Sequence, residues 1–294
     1  MSFFVTFWGV RGSIPTPGPT TSIHGGNTAC VEVRSDDALF ICDGGSGLRE
    51  LGIDLLGRNK GPIEAHFLFS HMHWDHIQGF PFFAPIYIPS NTFHIYGTSA
   101  GDTRYHRLLS GQMSSAYFPV DYSDLGGNIV AADLGEGSRE IQGVRVSCMK
   151  QNHPGGCWAY SFEKEGRKVV YATDSELDEL LPNAADIKDD PRPLRALPAD
   201  MVEFCRGAQL LIIDAQYTDE EYLSKIGWGH PRASTAVDLA VLAEVEEVAL
   251  FHHDPMHSDD EIQRIVSSCR ARAERHGSEV FVFAAREGFE MRID

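Results

Sequence analysis

The chain is patterned by short apolar runs, rich in β-branched and aromatic residues, that are bounded by glycine, proline and polar turns. Runs of this length and composition predict β-strands. In the first third of the chain they are Phe3–Trp8, Ala29–Arg34, Ala38–Cys42 and Glu64–Phe69. The later ones are Val144–Lys150, Trp158–Glu163, Lys168–Ala172, Leu210–Ile213, Val248–Phe251, Val280–Ala284 and Phe289–Ile293.

Helical patterns alternate with these strands. They are predicted over Leu48–Leu56, Ser175–Leu181 and Thr235–Leu242. A fourth helix is predicted to begin at Ser258, whose spacing to Glu261 fits a capping box, and to run to about Gly277. Strands followed by helices, twice over, predict an α/β fold in which two β-sheets pack face to face with helices outside.

Two long stretches are predicted to be irregular. Thr98–Gly127 and Pro182–Pro198 are rich in glycine, proline and polar residues, and long loops of this kind often serve as lids or binding walls. No linker divides the chain, so a single domain over residues 1–294 is expected.

The strongest chemical signal is the segment LFSHMHWDHIQGF, in which His71, His73, Asp75 and His76 follow an apolar strand. Alternate residues of an extended segment project to one side, so His71 and His73 can share one ligand set, and Asp75 with His76 can face a second. Buried polar groups need partners, and no ion-pair pattern accounts for three imidazoles and a carboxylate together. The segment therefore predicts a metal site.

Three further candidate ligands stand at the ends of other apolar runs: His153, Asp174 and His252. Seven ligands are enough for two divalent metal ions with one bridging carboxylate. Nitrogen and oxygen ligands without a thiolate suit zinc first, with manganese or iron as alternatives. His253, next to His252, is the alternative for the last ligand.

With these residues in this order, the chain resembles the metallo-β-lactamase superfamily of binuclear hydrolases. The segments FWGVRGSIP, GGNTAC and CDGGSG also resemble the branch that contains ribonuclease Z and the phosphoribosyl cyclic phosphate phosphodiesterases. The resemblance implies a four-layer αβ/βα sandwich with the metals at one edge. The metal ligands it implies are His71, His73 and His153 for the first ion, Asp75, His76 and His252 for the second, and Asp174 as the bridge.

Two other branches are disfavoured by single residues. The oxygen-reducing diiron branch usually has Glu where His73 stands, and the true β-lactamases usually have Cys where Asp174 stands. The resemblance thus implies neither oxygen reduction nor antibiotic hydrolysis.

Two residues are predicted to be catalytic, Asp75 of the motif and His230 of GWGHPRAST. Pro231 suits the first position of a helix, which would place His230 beside backbone N–H groups that favour anions. The resemblance implies that a histidine in this segment stabilises the charged transition state or protonates the leaving group.

Other polar residues near the predicted site have two interpretations each. Asp43 could orient a metal-bound histidine or cap the Leu48–Leu56 helix. Asp214 could serve catalysis or structural support. The basic residues that could either meet a substrate phosphate or lie solvated at the surface are Arg11, Lys150 and Arg232.

Charge and composition narrow the partners. The formal net charge of −17 argues against a large nucleic acid, which needs a basic face, but it allows a small anionic substrate, because local cations can override the global field. The six cysteines are scattered without a Cys-x-x-Cys pair, which favours a reduced, cytoplasmic protein. No apolar run approaches the roughly 18 residues that are needed to span a membrane. A membrane is therefore not expected as a partner.

Together these features predict a binuclear metal-dependent hydrolase that acts on a small phosphodiester, such as a cyclic nucleotide. One alternative is an ester, thioester or lactone hydrolase on the same centre, and another is a non-catalytic metal-dependent binding protein. The resembling family often forms dimers, so a homodimer is an expectation for which the sequence shows no interface signature.

Overall fold

The computed structural model describes residues 3–35, 38–97, 104–134, 137–182 and 193–294. Its strands are β1 (Phe3–Gly9), β2 (Cys30–Ser35), β3 (Ala38–Cys42), β4 (Glu64–Leu68), β5 (Thr92–Gly97), β6 (Asn128–Asp133), β7 (Ser138–Ile141), β8 (Val144–Gln151), β9 (Cys157–Lys164), β10 (Arg167–Ala172), β11 (Leu210–Asp214), β12 (Glu247–Phe251), β13 (Phe281–Ala284) and β14 (Glu290–Ile293). Its α-helices are α1 (Leu48–Arg58), α2 (Trp74–Ile77), α3 (Arg104–Gln112), α4 (Ala199–Cys205), α5 (Asp219–Tyr222), α6 (Ala233–Leu242) and α7 (Asp259–Arg275).

The strands form two mixed sheets. The first has the order β14-β1-β2-β3-β4-β5-β6, and its strands β3 to β6 run parallel. The second has the order β13-β12-β11-β10-β9-β8-β7, and its strands β10 to β13 run parallel. Because parallel neighbours end on the same side, each sheet gathers several strand C-termini at one edge, where loops can place functional side chains.

Apolar side chains form three cores, one between the two sheets and one between each sheet and the helices outside it. Residues of both sheets, including Phe7, Phe40, Phe162 and Phe251, form the core between them. A second core lies between the first sheet and helices α1 and α3, and a third lies between the second sheet and helices α4, α6 and α7. This arrangement is a four-layer αβ/βα sandwich, which confirms the predicted fold class.

The predicted strands are confirmed to within one residue at each end. Continuous burial explains why they could be recognised: all five residues of β3 and all five of β11 are buried, as expected for strands covered on both faces. The helix predicted after Ser258 is also confirmed, since the Ser258 side chain accepts a hydrogen bond from the Glu261 backbone and α7 follows.

Several elements differ from the predictions. Strands β5, β6 and β7 were not predicted, and α3 occupies part of the predicted irregular stretch Thr98–Gly127, of which residues 98–103 lie outside the described part. Of the predicted loop Pro182–Pro198, residues 183–192 also lie outside it. The predicted helix Ser175–Leu181 is wrong beyond one 3-10 turn at Leu177–Leu180, because two acidic side chains there turn inward to bind other segments.

None of the helices in the described part of the chain combines the length and the apolar character that crossing a bilayer requires.

Candidate metal centre

The residues predicted to bind metal converge at the strand ends of both sheets. His71 lies three residues beyond β4, and His153 and Asp174 each lie two residues beyond β8 and β10. His252 directly follows β12, while Asp75 and His76 sit on the short helix α2. The fold therefore assembles, at one edge of the sandwich, groups that are far apart in the sequence.

One group consists of His71, His73 and His153, whose ring nitrogens could hold a single ion. Nδ1 of His73 lies 2.9 Å from Nε2 of His71 and 3.1 Å from Nε2 of His153. Ligands about 2.0–2.1 Å from a tetrahedral ion are roughly 3.3 Å apart, so this spacing suits one ion bound by three imidazoles.

A second group consists of Asp75, His76 and His252. Oδ2 of Asp75 lies 3.3 Å from Nε2 of His76 and 3.1 Å from Nε2 of His252. The spacing again suits ligands of one ion.

Asp174 lies between the two groups. Its Oδ2 is 3.6 Å from Nε2 of His71 and 3.4 Å from Nε2 of His76, and its Oδ1 is 3.3 Å from Nε2 of His252. One carboxylate thus faces both groups, which is the geometry that a bridging ligand requires. Its bridging role stays a prediction.

The rings of His153 and His252 are each held on their far side by an acceptor outside the groups. Nδ1 of His153 donates to the Gly229 carbonyl at 2.9 Å, and Nδ1 of His252 lies 3.0 Å from Oε1 of Gln216. Because a carbonyl only accepts, the Nδ1 of His153 carries the proton and its Nε2 presents a lone pair to the centre. Contacts of this kind fix the tautomer and orientation of metal-ligating histidines.

Asp43 performs this task for His76. Its Oδ2 lies 2.8 Å from Nδ1 of His76 and also accepts from the hydroxyls of Ser70 and Tyr171, at 2.7 Å each. Helix α1 begins after Gly47 without a side-chain cap, so the capping interpretation of Asp43 is wrong. The contact matches the alternative, in which Asp43 orients a candidate ligand.

Three of these strand-end residues have a left-handed backbone. The φ angles are 60° for Asp43, 50° for Asp174 and 58° for His252. A non-glycine residue in this region costs roughly 1 kcal/mol or more and persists where surrounding contacts hold it. The turn after each strand therefore bends the chain so that the side chain points into the edge of the sandwich.

Two glycines allow the backbone to approach the rings. A Cβ atom at Gly12 would lie 2.5 Å from Cε1 of His252, and one at Gly229 would lie 2.3 Å from Nδ1 of His153. Gly229 also has a φ of 92°, which disfavours other residues.

The protonation states suit metal binding. Burial lowers the pKa values of His71, His73 and His153, so these imidazoles are neutral near pH 7. Burial alone would raise the pKa values of Asp75 and Asp174, but the surrounding imidazoles outweigh it and lower both. Neutral imidazoles and ionised carboxylates are the forms that bind divalent metals.

His76 supplies a direct test of whether a cation fits. Its Nε2 is buried and makes no well-aligned hydrogen bond in the described part of the chain, although carboxylate oxygens of Asp75 and Asp174 lie 3.3 and 3.4 Å away. Burial would lower the pKa of His76, yet the carboxylates of Asp174, Asp75 and Asp43 raise it well above its ordinary value. This nitrogen without a well-aligned hydrogen bond among carboxylates is a place that a bound cation would satisfy, so the residues present fit a divalent metal centre.

His230 lies beside the centre and is paired with Asp214. Its Nδ1 lies 2.7 Å from Oδ2 of Asp214, and its ring packs against His252 with centroids 4.9 Å apart. Burial lowers the pKa of His230 and raises that of Asp214, so the pair holds one proton between two buried groups. Asp174, Asp214, His230 and His252 could also hold an ion together, although the close contact between His230 and Asp214 occupies one atom of each.

The predicted reason for the position of His230 is wrong. Helix α6 begins at Ala233 with Arg232 as its N-cap, so Pro231 precedes the helix and His230 lies outside its first turn. The carboxylate of Asp214, rather than a helix terminus, holds the ring.

The loop that carries His230 is held by Glu176, which is not among the predicted site residues. The two oxygens of the buried Glu176 carboxylate accept from the Gly227 and Gly229 backbone amides at 2.7 and 2.6 Å, and from the Tyr222 hydroxyl at 2.7 Å. The only sequence signal is its position two residues after Asp174.

Other predicted site residues lie elsewhere. Nε2 of His253 lies 3.2 Å from the Ala285 carbonyl and its ring packs against His24, so the structure brings His252 and not His253 to the centre. Arg11 is buried and donates to backbone carbonyls, including that of His257.

Arg232 is also buried, and it donates to Asp178. The prediction that Arg11 and Arg232 meet a substrate phosphate is therefore wrong, because both side chains serve internal contacts. Lys150 is exposed on β8, and its role stays a prediction.

Comparisons with known proteins agree with the αβ/βα sandwich described above. The profile of the family described as "Beta-lactamase superfamily domain" matches residues 58–253 of the 294. A ribonuclease Z of Natronomonas pharaonis is 22% identical over 88% of this chain and 90% of its own length.

Two solved structures share the fold over nearly all of both chains. The metallo-β-lactamase fold protein YhfI from Bacillus subtilis has a TM-score of 0.68 at 20% identity and covers 99% of each chain. A diphosphatase from the PhnP family has a TM-score of 0.67 at 15% identity, covering 99% of this chain and 98% of its own.

Proposed function

The chain belongs to the β-lactamase superfamily, whose members include metal-dependent hydrolases, and we propose that it hydrolyses a small phosphodiester at a centre of two divalent ions. The observation that carries this proposal is the convergence of two ligand groups on Asp174, next to the His230–Asp214 pair. Such a centre combines charge neutralisation with a positioned proton donor, the two needs of phosphoryl transfer to water.

The chain's own residues divide the metal binding between them. His71, His73 and His153 would hold one ion, Asp75, His76 and His252 the other, and Asp174 would contact both. Bound divalent ions supply Lewis acidity, which neutralises phosphoryl oxygen and lowers the pKa of water. Zinc suits these ligands best, with manganese and iron as alternatives.

The protein side chains guide the water and the proton. The oxygen of one water forms a bond to phosphorus while the bond between phosphorus and the leaving oxygen breaks. Asp75, which we propose to be catalytic as well as a ligand, orients the water by accepting a hydrogen bond from it. The water releases one proton to solvent, and the leaving oxygen takes one from His230, which solvent then restores.

Asp214 keeps His230 in the correct orientation for this transfer. Because this contact uses Nδ1, the proton for the leaving oxygen would come from the other ring nitrogen, Nε2. The negative charge of a bound phosphodiester would favour the protonated form of His230, which offsets the effect of burial on its pKa.

The names of the relatives bear on the substrate. The matched curated relatives are named ribonuclease Z, so RNA is a second candidate substrate. The net charge of −17 and the internal engagement of Arg11 and Arg232 favour a small phosphodiester over a polyanion.

The experiment compares chelator-stripped protein with protein reloaded with Zn²⁺ or Mn²⁺, using bis(p-nitrophenyl) phosphate, an RNA and p-nitrophenyl acetate as substrates. We expect metal-restored turnover of the phosphodiester and little turnover of the RNA. Turnover of the acetate ester alone would replace the proposal with a carboxylic ester hydrolase. Preferential cleavage of RNA would replace the small substrate with a nucleic acid.

The ligand assignment needs its own measurement. His153→Ala should lower the metal content, measured by mass spectrometry, from two ions per chain toward one, and turnover should fall at least about 100-fold. The matched control is His94→Ala, because His94 lies on β5 and pairs with Glu64 outside the centre. Full metal content in the His153 variant would remove this residue from the ligand set.

A further inference from the structure

An apolar pocket of about 140 Å³ opens beside the metal centre and borders His71 and His73. Its remaining side-chain walls are formed by Ser70, Met72, Tyr105, Leu108, Pro154 and Trp158. Among the residues that the structure describes, no lysine, arginine, aspartate or glutamate lines it. A neutral compartment therefore adjoins a site whose other walls carry charge.

The volume matches one ring. A cavity of about 150 Å³ holds a benzene molecule, so this pocket has room for one six-membered ring or a short alkyl chain. It has too little room for a nucleobase together with its sugar.

The walls are held in place by the fold. Tyr105 is buried and packs with its ring parallel to Phe69, with centroids 6.5 Å apart. The backbone amide of Trp158 donates to the carbonyl of Ser70 at 2.9 Å, which joins β9 to the segment after β4. A pocket whose walls are largely pre-formed binds with a smaller ordering cost, as small-molecule sites commonly do.

The pocket lies on one side of the centre. It borders His71 and His73, whereas His230 and His252 do not line it. A diester lying across the centre with its leaving oxygen at His230 would therefore place its retained substituent toward the pocket.

We propose that this pocket binds the retained substituent of the substrate, and that this substituent is an uncharged single ring or short alkyl group. The assignment rests on the proposed phosphodiester hydrolysis. The substrate is then a monoanion whose single charge meets the metal centre while its neutral part fills the pocket. A substituent that carries a second charge would lose its hydration without gaining a partner.

The first test uses phosphodiesters that share a p-nitrophenyl leaving group and differ in the other substituent. With metal-loaded protein, kcat/KM should be at least about 10-fold higher for phenyl than for methyl, the usual gain from filling an apolar pocket. A 4-carboxyphenyl substituent should lose most of that gain. Equal kcat/KM for phenyl and methyl would overturn the proposal.

Variants of a pocket residue test whether the pocket causes the preference for phenyl over methyl. Leu108 is 38% exposed on α3, so Leu108→Glu should fold normally while placing a carboxylate at the wall, and it should reduce the phenyl-to-methyl ratio to about 2 or less. Leu108→Met should keep the ratio. The control is Ile53→Glu on α1, because Ile53 is 49% exposed and does not line the pocket. An unchanged ratio in Leu108→Glu with an unchanged melting temperature would contradict the assignment.

A binding measurement separates this inference from the proposed function. Calorimetry with metal-loaded protein should show phenylphosphonate binding at least about 10-fold more tightly than methylphosphonate, and Leu108→Glu should remove the difference. If no diester is hydrolysed but this preference holds, the proposed function fails and the pocket assignment stands. If diesters are hydrolysed and the two phosphonates bind equally, the pocket assignment fails alone.

Discussion

At the scale of single residues, Glu176 shows how a side chain can set the geometry of a centre that it does not contact. It holds the loop of Gly227 and Gly229, and this loop carries both His230 and the carbonyl that orients His153. In Glu176→Gln the amide NH₂ group would face a backbone N–H, so at least one of these hydrogen bonds is lost and the loop loosens.

The loosened loop should weaken proton transfer more than it weakens folding. We expect kcat for diesters with alkyl leaving groups to fall about 10–100-fold, and kcat for p-nitrophenyl esters to fall less, because p-nitrophenolate leaves without a proton. Trp228 lies in the same loop, so the quenching of its fluorescence by acrylamide should increase.

The control for this prediction is Glu179→Gln, since Glu179 is exposed and its carboxylate contacts only Asn152 among the described side-chain hydrogen bonds. A purely structural role of Glu176 would reduce both substrate classes equally and leave the Trp228 quenching of the folded protein unchanged.

A second residue-scale prediction concerns His66, which lies in the core between the sheets next to Phe40 and Tyr96. Burial lowers its pKa from 6.5 to about 4. Between these values the unfolded chain is protonated and the folded chain is not, so stability falls as the pH decreases through this window. From pH 7 to pH 5 this histidine should reduce the free energy of unfolding by about 1–2 kcal/mol.

His66→Phe removes the titrating group while keeping an aromatic ring. Urea unfolding at pH 7 and pH 5 should show that the wild-type protein loses about 1–2 kcal/mol more than the variant over this interval. The metal centre titrates in both proteins, so its contribution cancels. Equal losses would exclude His66 as the source.

At the scale of elements, helices α6 and α7 are joined by a buried ion network. Asp238 of α6 accepts from Nε and Nη2 of Arg272 on α7, at 2.5 and 2.7 Å, and from Nη1 of Arg195 at 3.0 Å. Removing one partner of such a network leaves buried charge without compensation, which typically costs 3–5 kcal/mol. Asp238→Asn should lower the free energy of unfolding by about that amount, as measured by urea denaturation.

The exposed pair formed by Glu203 and Arg206 provides the contrast. Glu203→Gln should cost less than about 1 kcal/mol, because solvent screens a surface ion pair. A similar cost for both variants would mean that the Asp238 network contributes no more than a surface contact.

The same scale explains which elements could be predicted. Strands β11 and β12 have continuous apolar runs because both faces are covered, so composition alone identifies them. Strand β7 is mostly exposed and has the polar sequence Ser-Arg-Glu-Ile, so only its pairing with β8 reveals it. Helix α3 forms within a stretch whose glycines and polar residues indicate a loop, because packing on the first sheet outweighs local preference.

At the scale of the whole molecule, the candidate ligands could be predicted because their chemistry is concentrated in one short motif and at strand ends. Apart from Asp43, the residues that orient them could not, because they are distant in sequence and ordinary in type. The Ser13 amide donates to Asp75 across 62 positions, and Gln216 holds His252 across 36. The local sequence around a serine or a glutamine does not predict such a contact, because only the fold brings the two partners together.

The net charge of −17 leads to a whole-molecule prediction that separates the two candidate substrate classes. A monoanionic diester approaches a molecule of the same sign, so added salt screens repulsion, and kcat/KM should stay level or rise up to about 3-fold between 20 and 200 mM potassium acetate. Binding of a nucleic acid depends on neutralising many phosphates, and it would fall by orders of magnitude over the same range.

The measurement records kcat/KM for methyl p-nitrophenyl phosphate and the affinity for a short RNA in the same salt series. Potassium chloride in place of acetate controls for competition by one anion at the centre. A steep decrease of diester turnover in both salts would mean that the chain offers a cationic surface to its substrate despite its overall charge. A level or rising profile with negligible RNA affinity would restrict the substrate to a small phosphodiester, whose charge meets the metal centre alone.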